Sequence, residues 1–160
     1  MTEATQAAIL PQESAGRHDP MSLKHGPFVS HLGVVVESVE PGQVRLSLDP
    51  RPEHHNSWGA VHGGVIMTLL DISMAMSGRS YDPVNLSGVT VDMSSSFIAP
   101  GRGRQVATGR VVARATKLWR CESEVRNASD DTLVASPSAR SCSRISPTRP
   151  GGRSATLKKE

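Results

Sequence analysis

Apolar residues dominate the run Val65-Ile66-Met67-Thr68-Leu69-Leu70-Asp71-Ile72-Ser73-Met74-Ala75-Met76, which shows no continuous polar stripe. That pattern predicts a helix over about residues 61–76 that the rest of the protein encloses, with Gly78 available to end it. Elsewhere apolar and polar residues alternate with the period of strands. Val44, Leu46 and Leu48 interleave with Arg45, Ser47 and Asp49, and Pro41-Gly42 marks a turn between residues 33–39 and 44–48. Three longer alternating segments follow at 88–98, 105–116 and 118–126, and a sixth strand can start at Thr132. In the third of these, Trp119, Cys121, Ser123 and Val125 share one face, with Arg120, Glu122, Glu124 and Arg126 on the other. Two strands, one buried helix and then more strands give an α+β domain, an antiparallel sheet curled around one helix.

Residues 1–26 carry Pro11, Gly16, Pro20 and Gly26 with little apolar content and read as a flexible arm. The ordered domain covers residues 27–136, and 137–160 form a divergent basic tail. There Pro137, Pro147, Pro150 and Gly151-Gly152 break the alternation, so a closing strand is expected to be short, frayed or at an edge. The net charge of +3 belongs to this tail, because residues 140–160 contribute +5 and the remainder is −2. With aromatic residues at only 3%, stacking on nucleic-acid bases is poorly provided for. Cys121 and Cys142 lack metal-ligand or disulfide-framework spacing, and no apolar stretch has the length of a membrane span or the form of a leader. The expectation is a cytoplasmic protein that binds neither nucleic acid nor membrane.

Asp71 is the main chemical clue. A carboxylate within an apolar helix loses its water, so it calls for a partner or a task; a core Asp bonded to Ser or Thr neighbours is the plainer alternative. Upstream, Asn56-Ser57-Trp58-Gly59-Ala60-Val61-His62-Gly63-Gly64 places two glycines at the start of the helix, where free amides and the positive end of the helix dipole suit a developing oxyanion. An isolated Gly-Gly is more often only a tight turn. Gly63 and Asp71 are eight residues apart, about 12 Å on one helix at ~1.5 Å per residue. One scissile carbonyl does not span that distance. Joint action therefore requires two chains with antiparallel helices, Gly63 of one facing Asp71 of its twin.

Asn56-x-x-Gly59-x-x-His62-Gly63-Gly64, Leu69-x-Asp71 and Gly88-Val89-Thr90-Val91-Asp92-Met93, with Phe97 and Pro100, resemble the hotdog-fold acyl-CoA thioesterases of the phenylacetate-degradation (PaaI) type. The resemblance implies a hotdog fold in which dimers join their sheets and often pair into tetramers. It implies that Asp71 is the general base or nucleophile, that the Gly63 amide polarises the thioester carbonyl, and that Asn56 and His62 orient the thioester or the water. It further implies that Thr90 helps hold the attacking water. The expected reaction is hydrolysis of an aromatic or medium-chain acyl-CoA, with no metal and no cofactor beyond the coenzyme A of the substrate.

Gly64, Arg102, Arg104, Lys117 and Arg120 are candidate substrate contacts, the cations for the phosphates of coenzyme A, although each one singly is more often a solvated surface charge. His54, His55 and His62 lack a carboxylate or Cys at ligand spacing and read as surface loop residues. No G-x-S-x-G elbow is present, and Gly101-Arg102-Gly103-Arg104 lacks the context of a dinucleotide loop. A hotdog protein that binds acyl-CoA or another apolar ligand without catalysis is the second reading, and a dehydratase or hydratase on the same fold the third. The pattern does not fix which way Trp58, Met67, Met74 and Phe97 face.

Overall fold

The computed structural model describes residues 26–82, 87–115, 118–136 and 140–145. The predicted arm and most of the predicted tail therefore lie outside the described residues. A short helix α1 (Pro27–Leu32), with Pro at its start and Gly33 in the left-handed region at its end, leads into β1 (Val35–Glu40) and β2 (Gln43–Leu48). The long helix α2 (Gly63–Arg79) follows, then β3 (Ser87–Met93), β4 (Gln105–Arg114), β5 (Leu118–Asn127), β6 (Leu133–Ala135) and β7 (Arg140–Ile145). All pairings are antiparallel, in the order β1-β2-β4-β5-β7-β3, with β6 beside β5.

Alternation explains the packing. Val44, Leu46 and Leu48 of β2, Ala107 of β4 and Cys121 and Val125 of β5 turn inward and meet Ile66, Leu69, Leu70 and Met74 of α2. The contact with β4 is set by small residues. A Cβ on Gly109 would lie 2.3 Å from the Ser73 carbonyl oxygen, so only glycine lets the helix come this close. Beside it Ser73 and Ser123 exchange a buried 2.6 Å hydrogen bond, satisfying two hydroxyls that burial would otherwise penalise.

Four features differ from the sequence expectation. The helix runs through Gly78, because this glycine makes room for the Trp119 ring, 2.6 Å from where a Cβ would be, and does not serve as a cap. β3 ends at Met93, and Phe97 makes only an isolated bridge to Ala135. The segment Arg140–Ile145, expected in the tail, is a strand paired on one side with β5 and on the other with β3, so it is interior. Pro137 lies outside the described residues, and the described rungs of this strand begin at Arg140.

The fourth difference concerns enclosure. Along one stripe at helical spacing Gly64 is exposed and Met67, Thr68, Asp71 and Ala75 are only partly covered by the described residues, while Ile66, Leu69, Leu70 and Met74 on the other side are fully buried. Beside that stripe stands β3, an end strand with Val89 and Val91 52% and 61% exposed.

Candidate active site

The approach to α2 is fixed by backbone bonds. Asn56 N–H donates to the Ala60 carbonyl (2.9 Å), Val61 N–H to Gly101 (2.9 Å) and His62 N–H to His54 (2.8 Å). The Asn56 side chain closes the turn by accepting from the Trp58 and Ala60 amides at 3.0 and 3.1 Å, and Gly59 supplies the left-handed residue the turn needs. Asn56 Oδ1 thus holds the loop in shape.

His62 is the N-cap, and its Nδ1 accepts from Gly64 N–H at 2.9 Å, which leaves the ring proton on Nε2 when the ring is neutral. A Cβ on Gly64 would lie 3.1 Å from that nitrogen, so Gly64 serves the cap. The Val65 and Ile66 amides turn back to the His62 carbonyl. Gly63 N–H is then the one first-turn donor without a partner among the described residues. Gly63 lines a cleft of about 470 Å³ with Asn56, Trp58, Ile66, Phe97, Ile98, Arg102 and Val134. An uncommitted amide at the positive end of a 17-residue helix is suited to a carbonyl oxygen that gains charge.

Asp71 lies two turns further on, where Thr90 Oγ1 donates to its Oδ1 at 2.9 Å. The pair joins α2 to the end strand β3 on the partly covered face. Asp71 and Thr90 are not among the residues lining the Gly63 cleft. Within one chain the carboxylate and the amide thus lie apart, about 12 Å along the helix.

The candidate cations are scattered. Arg102 lines the cleft, its backbone N–H donating to Asn127 Oδ1 at 2.8 Å, and its guanidinium forms no ion pair among the described residues. Arg104 is committed elsewhere, to Glu37 at 2.6 Å and Asp49 at 2.7 Å. There the Ser47 hydroxyl, and after it Arg104, hold the Glu37 carboxyl below the usual range. Arg120 lies on the outer face of β5, away from the helix, and Lys117 lies outside the described residues. His54, expected at the surface, is buried, with Nδ1 accepting from the Arg51 amide; burial, then Arg51, pushes its pKa down. No group of three metal-ligating side chains exists among the described residues. Trp58 and Phe97 line the cleft, Met74 is core and Met67 lies on the partly covered stripe. Ile98 and Val134, which wall the cleft, escaped the sequence reading because a bridge from a non-strand segment brings them there.

The thioesterase superfamily model matches residues 59–134, the span that holds Gly63, Asp71 and Thr90. The antiparallel sheet around one long helix matches the PaaI protein of Escherichia coli with a TM-score of 0.69 at 21% identity, over 75% of this chain and 85% of that one. This chain has the hotdog fold, and over residues 59–134 it is similar to the thioesterase superfamily. Among curated relatives, a candidate esterase of Halobacterium salinarum is 36% identical over 93 residues, covering 55% of this chain and 61% of the relative. A medium/long-chain acyl-CoA thioesterase of Salmonella typhimurium is 28% identical over 135 residues, 74% of this chain and 86% of the relative. The chain spans about half to two thirds of the length of three of the curated relatives it matches. Among the described residues, no helix of this hotdog protein is long and apolar enough to cross a membrane.

Proposed function

We propose that this protein hydrolyses acyl-CoA thioesters to free acid and coenzyme A, as a homodimer whose two sites each combine Gly63 of one subunit with Asp71 and Thr90 of the other. The observation that carries the proposal is the division of one helix into two complementary halves. An unpaired amide in a cleft stands at its start, and a hydroxyl-bonded carboxylate lies on its partly covered face eight residues later. Antiparallel pairing of two such helices brings unlike halves together. The open edge of β3 beside that face, with Val89 and Val91 exposed, offers the surface on which two sheets can join.

In this arrangement the Gly63 N–H holds the thioester carbonyl oxygen. The Thr90 hydroxyl donates a hydrogen bond to Asp71 Oδ1 and helps to place the attacking water, and the Asp71 carboxylate takes that water's proton as oxygen attacks the carbonyl carbon. Collapse of the tetrahedral intermediate breaks the C–S bond, and the proton on Asp71 passes to the departing thiolate. Attack by Asp71 itself, giving an anhydride, uses the same geometry; label found in Asp71 after a single turnover in isotopically labelled water identifies that route, because direct attack by water labels the product acid alone. Neither route needs a metal or a bound cofactor. Aromatic and medium-chain acyl groups both suit the apolar floor of the cleft.

Thiol release from a panel of acyl-CoAs tests the reading. Asp71→Ala should lower turnover by roughly 10²- to 10⁴-fold with the dimer intact. Near-normal hydrolysis by that variant, or tight acyl-CoA binding by the wild type without thiol release, would overturn it.

A further inference from the structure

Trp58 is 87% exposed, the most exposed large apolar side chain among the described residues, yet it is not on a slack loop. Its own amide and the Ala60 amide both bond to Asn56 Oδ1, the Gly59 amide bonds to the Asn56 carbonyl, and Gly59 fixes the bend. The rigid turn presents the indole to water in a cleft that the exposed Phe97 and Ile98 also line, and a grouped exposed apolar surface of this kind marks a ligand groove. Trp58 lines the same cleft as Gly63, and Arg102, a cation with no carboxylate partner among the described residues, lines it too. The floor of that cleft is apolar, with Val61, Ile66 and Val134 nearly fully buried; Trp58, Phe97, Ile98 and Arg102 are exposed at its mouth, and of these Arg102 alone carries a charge. An exposed aromatic face beside an uncommitted guanidinium suits a purine ring carrying phosphate, by stacking and by charge-assisted hydrogen bonds. An apolar acyl group belongs instead on the floor.

We infer that Trp58 and Arg102 form the recognition site for the nucleotide half of the thioester, the indole stacking on adenine and the guanidinium meeting a phosphate. The inference rests on the proposed acyl-CoA hydrolysis and adds which residues read the coenzyme. Asn56 acts here as a positioning residue, holding the turn that presents Trp58.

The test compares one acyl group carried on coenzyme A and on pantetheine, which lacks the nucleotide. Trp58→Ala and Arg102→Ala should each lower kcat/KM for the acyl-CoA by about tenfold, mainly through KM, and leave the acyl-pantetheine rate unchanged. Trp58→Phe should recover most of the loss, which a purely structural lesion would not allow. Adenosine 3′,5′-bisphosphate should quench the tryptophan fluorescence of the wild type and compete with acyl-CoA, with the quench absent in Trp58→Phe. Equal losses on both thioesters, or dissociation of the dimer in Trp58→Ala, would overturn the inference and assign Trp58 to the acyl side or to the subunit contact. Should the wild type hydrolyse neither thioester, the hydrolase reading fails, while the bisphosphate titration still decides this one.

Discussion

Thr90 and Asp71 form the smallest unit of the proposed chemistry, a hydroxyl and a carboxylate 2.9 Å apart on two different elements. Thr90→Val keeps the shape and removes the donor, so kcat should fall by about tenfold with little change in KM, whereas Thr90→Ser should stay near wild type. Equal rates for Val and Ser would show that the hydroxyl has no part in holding water. His54 gives a separate reading of the fold. Its folded pKa lies below the ordinary value of 6.5 because burial disfavours the charged ring. The neutral ring therefore contributes its stability fully above that pH, and the contribution is lost as pH falls through and below it. Melting temperature should drop between about pH 7 and about pH 5, and the drop should shrink in His54→Gln. At this scale the sequence was informative where chemistry needs rare placement, as with Asp71 in an apolar run. It misplaced His54, expected at the surface but buried by the packing of a loop, and offered Arg104 to a phosphate although its partners Glu37 and Asp49, distant in sequence, engage it.

The element that organises the site is α2, and its closeness to the sheet depends on Gly109. Gly109→Val should destabilise the protein by about 3 kcal/mol or more, read from denaturant unfolding, since neither the Ser73 backbone nor the strand can yield cheaply. A loss under about 1 kcal/mol would mean that helix and sheet are not in such close contact. The strands were legible because each buries one face, and alternation records that directly: Trp119, Cys121, Ser123 and Val125 are all buried, as the period demands. Strand ends were less legible. Gly78 looks like a helix terminator until Trp119, some forty residues away, is seen to occupy the space its missing side chain leaves. β7 lacks apolar alternation and was read as tail, but both its edges are paired, and backbone ladders do not require an apolar pattern.

For the whole molecule, the decisive feature is what one chain leaves open. The helix was expected to be enclosed, because its run has no continuous polar stripe; the structure leaves Met67, Thr68, Asp71 and Ala75 only partly covered, next to the open edge of β3. In the proposed dimer a second copy of the chain supplies that cover, and it also turns two distant half-sites into two complete ones. Gly63 lends itself to a clean probe. It is the first helical residue, where proline is tolerated, His62 before it has extended backbone, and a Cβ there would meet Phe97 at an ordinary 3.5 Å. Gly63→Pro therefore deletes the amide donor while sparing the helix. The most direct measurement mixes this variant with Asp71→Asn under conditions that exchange subunits, and follows thiol release. Each variant alone should be nearly inactive. The mixture should recover about a quarter of wild-type activity, because half of the dimers are mixed and each of those regains one intact site of two. No recovery, with subunit exchange verified, would contradict a site shared between two chains.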